Sequence, residues 1–428
     1  MRRQLITRRL FTWAAVFLLC AASARGTYSI IACDAKTKQC GVAVQTNNLA
    51  VGASVPYAQA GIGALVSQFE TNPHYGPRGL ALLAQGMSTD DTLKRLLAED
   101  GNFEGAGPEA RQVALVSLDG RTASYTGEEA QGAQWAGARS GPGYSIQGNG
   151  LAGPNVAEAM ERAFLTTEGT LAERLLAALT AGDLAGGQTT GRESAALLVR
   201  TQDGWPFDID LRVDHSADPV SDLRKLFDMQ SARQQVMEAR RASKQGRPTD
   251  AKALLMRAVA RASAWPRVWL QAAEVAADVE DSELALQYLA VAFAQNPAWS
   301  DVEIGSGRFS ALGRNPMFRR WVTDSQRQRA AAEYEESKRS ANMSAEKSME
   351  TVRKLLEAGL PGEAITILTP LVRDHPENAA VHSLLAESYA SQNDYDRAER
   401  ECQRALRLQS DDYRLRAQYL RLQMERSR

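Results

Sequence analysis

Apolar residues recur at two periods along this chain, and the period changes once. Up to about residue 228, short alternating runs pair across turns. YSIIAC faces GVAVQT, RQVALVSL meets RTASYTG across Asp119-Gly120, and SAALLVR meets FDIDLRVD around Asp203-Gly204. A period of two with turn residues between the runs predicts antiparallel hairpins. SVPYAQAGIGALVSQF, apolar and interrupted by glycine, predicts a further strand pair. Helical patterns fall between them. STDDTLKRLLAED begins with a capping Ser-Thr-Asp and VAEAMERAFLTT follows Pro154-Asn155. LAERLLAAL opens on a capping box, Thr170-Leu171-Ala172-Glu173, and is expected to close at Gly182. Hairpins with separate helices predict an α+β fold, antiparallel sheets covered by helices, rather than a doubly wound parallel sheet.

From residue 229 to 428 glycines thin out and the pattern is helical throughout. Ala251, Leu255 and Ala258 share a spacing with Ala285, Leu289 and Ala292, with Ala364, Leu368 and Leu371, and with Ala398, Cys402 and Ala405. Ala251 to Ala285 and Ala364 to Ala398 are both steps of 34 residues. This pattern resembles the tetratricopeptide repeat, and Trp269 and Tyr389 stand where that repeat usually carries an aromatic. The register breaks near 298–345, where Phe309, Leu312, Pro316 and Phe318 predict an irregular plug and EYEESKRSANMSAEKS a connecting helix or linker. A generic helical bundle is the alternative. Such arrays bind proteins or peptides or make oligomers, so a protein or peptide partner and a homo-oligomer are both open.

Charge and the chain's start narrow the setting. A net charge of −1 over 428 residues offers no electrostatic footprint for nucleic acid. Residues 1–26 have a basic start, an apolar run from Leu10 to Cys20 and small residues after it, the pattern of a secretory signal peptide. Thr7-Arg8-Arg9-Leu10-Phe11 resembles the twin-arginine export motif; a general secretory signal with extra arginines is the other reading. Cys20 follows Leu18-Leu19 rather than a small residue, so no lipid anchor is expected. No later run is long enough to span a membrane. The expectation is a periplasmic or secreted protein with no membrane contact after signal removal. Cys33 and Cys40 flank the polar DAKTKQ between two strands, which suits a cross-strand disulfide in an oxidising compartment. A metal site there would need ligands that no other Cys or nearby His supplies. Cys402 reads as a small core residue.

The usual catalytic motifs are missing: there is no HExxH, GxSxG or GxxxxGK[ST]. With four histidines in the chain, His74 and His215 read as surface or loop residues, and neither a metal nor another cofactor is expected. GPGYSIQGNG matches no dinucleotide fingerprint. The junction Ala24-Arg25-Gly26-Thr27 is the remaining feature. Cleavage before Thr27 would expose an α-amine titrating near pH ~8, able to act as base for the hydroxyl of its own residue. Cleavage after Ala24 would instead leave Arg25 first.

Residues 27–228 also resemble, in order, the family called domain of unknown function 1028. The matching segments run from TYSIIACD and GVAVQTNNLAVGASVPYAQAGIGALVSQFETNPHYGPRGLALLAQG through RQVALVSLDGRTASYTG and AGARSGPGYSIQGNGLAG to GRESAALLV and DLRVDHSADPVSDL. That family is placed in the N-terminal nucleophile (Ntn) hydrolase superfamily. The resemblance implies a four-layer αββα Ntn-hydrolase-like sandwich followed by the all-α repeat domain, acting on a small amide substrate through Thr27. It also implies oxyanion or substrate-positioning groups among Gln68, Asn72, Tyr75 and Asn149, whose plainer role is turn and strand-end hydrogen bonding. Departures from the family pattern at Tyr125, Ala138, Gln188, Thr190 and Glu193 imply a different substrate or a decayed activity. The rival expectation is a non-catalytic αββα scaffold whose repeats bind protein partners. Joint appearance of Cys33 and Cys40 in an exported member supports their pairing.

Overall fold

The computed structural model describes residues 26–132, 134–339 and 343–426. Residues 1–25, where the signal peptide, the twin-arginine-like motif and Cys20 fall, lie outside them. The described residues divide into two compact units, the first ending at Ser231 and the second beginning at Ala232, three residues beyond the boundary expected from composition.

Among the described residues of the first unit, ten strands make two antiparallel sheets. The larger contains β1 (Thr27–Asp34), β2 (Gln39–Thr46), β7 (Trp135–Gly141), β8 (Tyr144–Leu151), β9 (Ser194–Arg200) and β10 (Ile209–Val213), in the order β10-β9-β2-β1-β8-β7. The smaller contains β3 (Pro56–Gln59), β4 (Gly63–Phe69), β5 (Arg111–Ser117) and β6 (Thr122–Thr126), in sequence order. Four helices pair off against them: α1 (Tyr75–Ala84) and α2 (Thr89–Ala98), then, after the single-turn α3 (Glu128–Gln131), α4 (Pro154–Thr166) and α5 (Leu171–Leu184). The long α6 (Pro219–Lys244) follows β10.

Side-chain alternation builds the layers. Tyr28, Ile30 and Ala32 of β1 join Tyr144, Ile146, Leu197 and Val199 against Met160, Leu175 and Leu179 of α4 and α5. Val220, Leu223 and Phe227 of α6 complete this core. On the opposite face of the same sheet, Ile31, Val42, Val44 and Ala196 meet Ala64, Val66, Ala114 and Val116 of the smaller sheet. The outer face of that sheet, Leu65, Val113 and Leu115, packs on Tyr75, Leu83, Leu93 and Leu96. The result is the expected αββα sandwich. Each fully buried large aliphatic side chain contributes about 1.5–3 kcal/mol.

Local signals hold at most places. Ser88 caps α2, and the Thr170–Glu173 capping box opens α5. Cys33 and Cys40, directly opposed in the β1–β2 register, are disulfide-bonded. Gly182 does not close α5, which continues to Leu184 before Gly186 and Gly187, both at positive φ, turn the chain. Its role is close packing, since a Cβ there would stand 2.8 Å from Met160 Cγ and 3.1 Å from Tyr28. The β7–β8 hairpin, which places a strand beside β1, is the element the alternation did not expose.

The second unit is all helical. It runs through α7 (Pro248–Arg261), α8 (Pro266–Asp278), α9 (Ser282–Gln295), α10 (Pro297–Gly305), α11 (Pro316–Arg339), α12 (Ala345–Glu357), α13 (Pro361–Asp374), α14 (Ala379–Ala390), α15 (Tyr395–Leu408) and α16 (Tyr413–Arg426). All twelve residues of the repeat pattern are buried. Small residues at Ala386, Ala398 and Cys402 share one core with Leu422, letting helices approach closely. Cys402 is a free buried thiol, as expected. The expected irregular plug is instead two helices and a 3₁₀ turn (Ser310–Leu312), with Phe309 and Phe318 ring centroids 6.4 Å apart. Pro297 and Pro316 start helices there because a first-turn proline lacks only an N–H that would have had no helical partner. Among the described residues no helix is long and apolar enough to cross a membrane.

Candidate functional site

The space between the two sheets is apolar at one end and polar at the other. Where β1 begins, the inward side chains change from Ile31 to Ser29 and Thr27, and those of β8 are Gln147 and Asn149, register partners of Ser29 and Thr27. Thr46 opposes Thr27 from β2. The smaller sheet answers with Gln68 and Gln112, which are register partners. All seven are buried, Thr27 at 5% exposure and Asn149 at 0%.

Hydrogen bonding gives this layer a definite direction. Thr46 Oγ1 donates its one proton to the Gly26 carbonyl at 2.8 Å. The 2.9 Å contact between Thr27 Oγ1 and Thr46 Oγ1 therefore has Thr27 as donor. The Asn47 N–H also reaches the Gly26 carbonyl, at 3.4 Å, and the Gly26 N–H donates to Asn47 Oδ1 at 3.1 Å. Gly26 thus has its carbonyl on two donors and its nitrogen on an acceptor, one residue before the Thr27 hydroxyl.

A row of amides lies alongside. Gln112 Nε2 donates to the Gly148 carbonyl at 2.9 Å and to Thr126 Oγ1 at 3.1 Å, which turns Gln112 Oε1 towards its neighbours. That oxygen accepts from Gln68 Nε2 at 2.7 Å and from Asn149 Nδ2 at 2.8 Å. Gln68 Oε1 accepts from Ser29 Oγ at 2.8 Å, and its nitrogen reaches the Thr27 carbonyl at 3.4 Å. Asn149 Oδ1 is consequently turned away from every donor and is buried without a partner among the described residues, as are Gln188 Oε1 and both amide atoms of Gln147. Such unpaired buried polar atoms cost about 1–3 kcal/mol each.

The loop after α5 walls Gly26. Gln188 bridges to Leu151, the Thr189 N–H donates to the Gly150 carbonyl, and Thr190 Oγ1 accepts from Asn47 Nδ2 at 2.8 Å. Arg192 anchors the loop's far end on Asp183 at 2.8 Å. Burial raises the Asp183 carboxyl above its ordinary range by more than Arg192 lowers it.

Of the residues singled out in sequence, Thr27, Gln68 and Asn149 come together. Asn72 and Tyr75 do not. They lie on the other face of the smaller sheet, where Tyr75 O–H and Asn72 Nδ2 donate to Asp100 at 2.5 and 3.1 Å. Arg111 binds the same carboxylate through Nε and Nη2. Asn149 turns its nitrogen to Gln112 and leaves its oxygen, an acceptor, without a partner among the described residues. Thr46 Oγ1 and the Asn47 N–H, which sequence reasoning passed over, are the two donors to the Gly26 carbonyl. Their signal was present, because Thr46 ends the strand that pairs with Thr27. Among the family departures, Gln188 and Thr190 stand at the junction. Tyr125 packs on the outer core, Ala138 is exposed on β7, and Glu193 Oε1 meets His215 at 3.1 Å.

Fold and site together define an αββα domain with a buried threonine at the head of its central strand, joined to a tetratricopeptide-like array. Residues 27–223 match the profile of the family of unknown function DUF1028, and residues 355–423 that of the tetratricopeptide repeat. The chain belongs to the DUF1028 family. It is similar to the protein SPO2555 from Silicibacter pomeroyi, a DUF1028 crystal structure, at 30% identity over 47% of this chain and 84% of that one, with a TM-score of 0.43. It is also similar to MamA (41-end) from Desulfovibrio magneticus RS-1, at 14% identity over 46% of this chain and 86% of that one, TM-score 0.18. The P58(IPK) TPR domain matches at 14% identity over 63% of this chain and 78% of that one, TM-score 0.17. Among curated proteins none matches.

Proposed function

We propose that this is an exported Ntn-type amidohydrolase in which Thr27, freed of the residues before it, is the nucleophile and its own α-amine the base. The observation that carries the reading is the hydroxyl chain from Thr27 through Thr46 to the Gly26 carbonyl. A substrate carbonyl taking the place of the Gly26 carbonyl would meet Thr46 O–H and Asn47 N–H as oxyanion donors, beside the Thr27 hydroxyl. Each such donor is worth about 10²–10³ in rate. With Gly26 attached, Thr27 is covered and its nitrogen is an amide, so release of the preceding segment both opens and activates the centre.

The reaction then balances in two halves. Thr27 Oγ gives its proton to the α-amine and bonds the carbonyl carbon; the C–N bond breaks and the leaving amine takes that proton. Water next attacks the ester, again through the α-amine, releasing a carboxylic acid and restoring Thr27.

The repeat unit suits a protein partner. A cavity of about 640 Å³ lies along α14 and α16, lined by Glu387, Tyr413, Arg414, Gln418 and Arg421 among others. If Thr27 stays blocked, this surface would be the functional one and the sandwich a scaffold. The deciding experiment is the N-terminal sequence and intact mass of the natively exported protein, followed by Thr27→Ala in a small-amide hydrolysis screen. A chain beginning at Thr27, with activity lost in the variant, is expected. A chain stably beginning at Arg25 would leave the hydroxyl without its base and defeat the hydrolase reading.

A further inference from the structure

We infer that the acyl side of this centre is shaped for an unbranched α-amino acyl group, so that the substrates are glycyl amides; this rests on the reading that the substrate's acyl group replaces Gly26. Gly26 itself shows how such a group sits. Its carbonyl takes Thr46 O–H and Asn47 N–H, and its nitrogen donates to Asn47 Oδ1 at 3.1 Å. Its α-carbon has no room for an L side chain: a Cβ there would lie 2.9 Å from Gln188 Cβ, 3.3 Å from Thr190 Oγ1 and 3.4 Å from the Asn149 carbonyl oxygen.

That wall cannot give way through a side-chain rotation, because Gln188 Cβ moves only with its backbone. The backbone is tied by the Leu151 bridge, by Ala152 N–H to the Gly187 carbonyl and by Thr189 N–H to the Gly150 carbonyl. Gln188 Nε2 is held on the Gly191 carbonyl at 2.6 Å. Steric exclusion therefore selects glycyl over alanyl and larger residues.

The acceptor at the nitrogen end is Asn47 Oδ1, which takes the Gly26 N–H at 3.1 Å. A free α-ammonium can make the same bond, and an acetyl group has no donor to offer it. Sterics and that acceptor thus point to one class, H₃N⁺–CH₂–CO–NHR, cleaved to glycine and the amine.

The test uses the full chain beginning at Thr27 with glycyl, alanyl and acetyl p-nitroanilides. The glycyl compound should exceed both others in kcat/KM by at least about tenfold. Gln188→Gly, which removes the walling Cβ, should raise alanyl turnover relative to glycyl. Binding is read separately by calorimetry of glycinamide and alaninamide on the Thr27→Ala chain, where glycinamide should be preferred. Equal turnover of glycyl and alanyl substrates would overturn the subsite while leaving the hydrolase intact. Selective glycinamide binding with no anilide turned over would keep the subsite and remove the hydrolase. Absence of both turnover and selective binding would overturn both.

Discussion

Removing the Asp100 carboxylate tests whether the Asn72–Tyr75 segment builds the fold or the reaction. The Asp100 and Arg111 side chains are 2% and 1% exposed, with Nε and Oδ2 2.9 Å apart. Arg111 also donates to the carbonyls of Glu70, Phe103 and Ala106. Asp100→Ala would strand a buried guanidinium and two further donors, Tyr75 O–H and Asn72 Nδ2. Breaking a buried pair costs about 3–5 kcal/mol, and the three remaining carbonyls place this case near the lower figure. For a domain of this size that is a fall in Tm of roughly 6–12 °C. Tyr75→Phe alone loses one hydrogen bond to a charged group, about 1.5–3 kcal/mol, and should cost far less in the Asp100→Ala background. Burial alone would raise the Asp100 carboxyl, but hydrogen bonds from Arg111, Tyr75 and Asn72 outweigh it and hold the group below its ordinary range. A carboxyl lowered on folding contributes stability above its unfolded value, near ~3.9, and loses it as pH falls through the folded one. The gap between wild type and Asp100→Ala, measured by scanning calorimetry on the full chain, should be complete at neutral pH and shrink in acid. A gap under about 1 kcal/mol at pH 7, far below the cost of a broken buried pair, would refute the reasoning. So would a Tyr75→Phe variant that keeps its Tm yet loses the proposed Thr27-dependent activity, which would return Tyr75 to the proposed centre.

Two further outcomes follow from the covalent and thiol chemistry. The Cys33–Cys40 bond closes a loop with a sequence separation of 7, and replacing both cysteines with serine should cost about 2.5 kcal/mol by chain entropy. An unchanged urea midpoint would contradict that. Burial, with a smaller contribution from Glu399, pushes the Cys402 thiol up to about 11. Iodoacetamide at pH 8 should therefore label Cys402 only in the unfolded repeats, and rapid labelling of the native protein would sink the assignment.

Most of the sandwich was legible because its strands bury apolar faces. RQVALVSL and SAALLVR advertise themselves through alternation, and Asp119-Gly120 marks its own turn. YSIQGNGL was not legible for the opposite reason. Its inward positions are Ser145, Gln147 and Asn149, facing the polar end of the inter-sheet space, so a central buried strand reads as a glycine-rich polar loop. The same inversion hid Thr46 and Gln112, whose importance depends on which strands become neighbours. Gly182 misled because a helix-ending glycine and a close-packing glycine look alike until Met160 and Tyr28 are in place. Asn72 and Tyr75 share with Gln68 the family-like motif SQFETNPHYG, but the sheet puts them on opposite faces.

The polar layer around Thr27 consists of hydroxyls and carboxamides: Ser29, Thr46, Asn47, Gln68, Gln112, Gln147, Asn149, Gln188 and Thr190. None of these side chains gains or loses a proton across the range in which a cell compartment changes acidity. The groups that do titrate stand farther along the walling loop, Asp183 with Arg192 and Glu193 with His215. On the proposed reading, an α-amine at Thr27 would add a titrating nitrogen to a layer whose own side chains hold their protonation, so that acidity would act on that layer chiefly as a dial on one nitrogen.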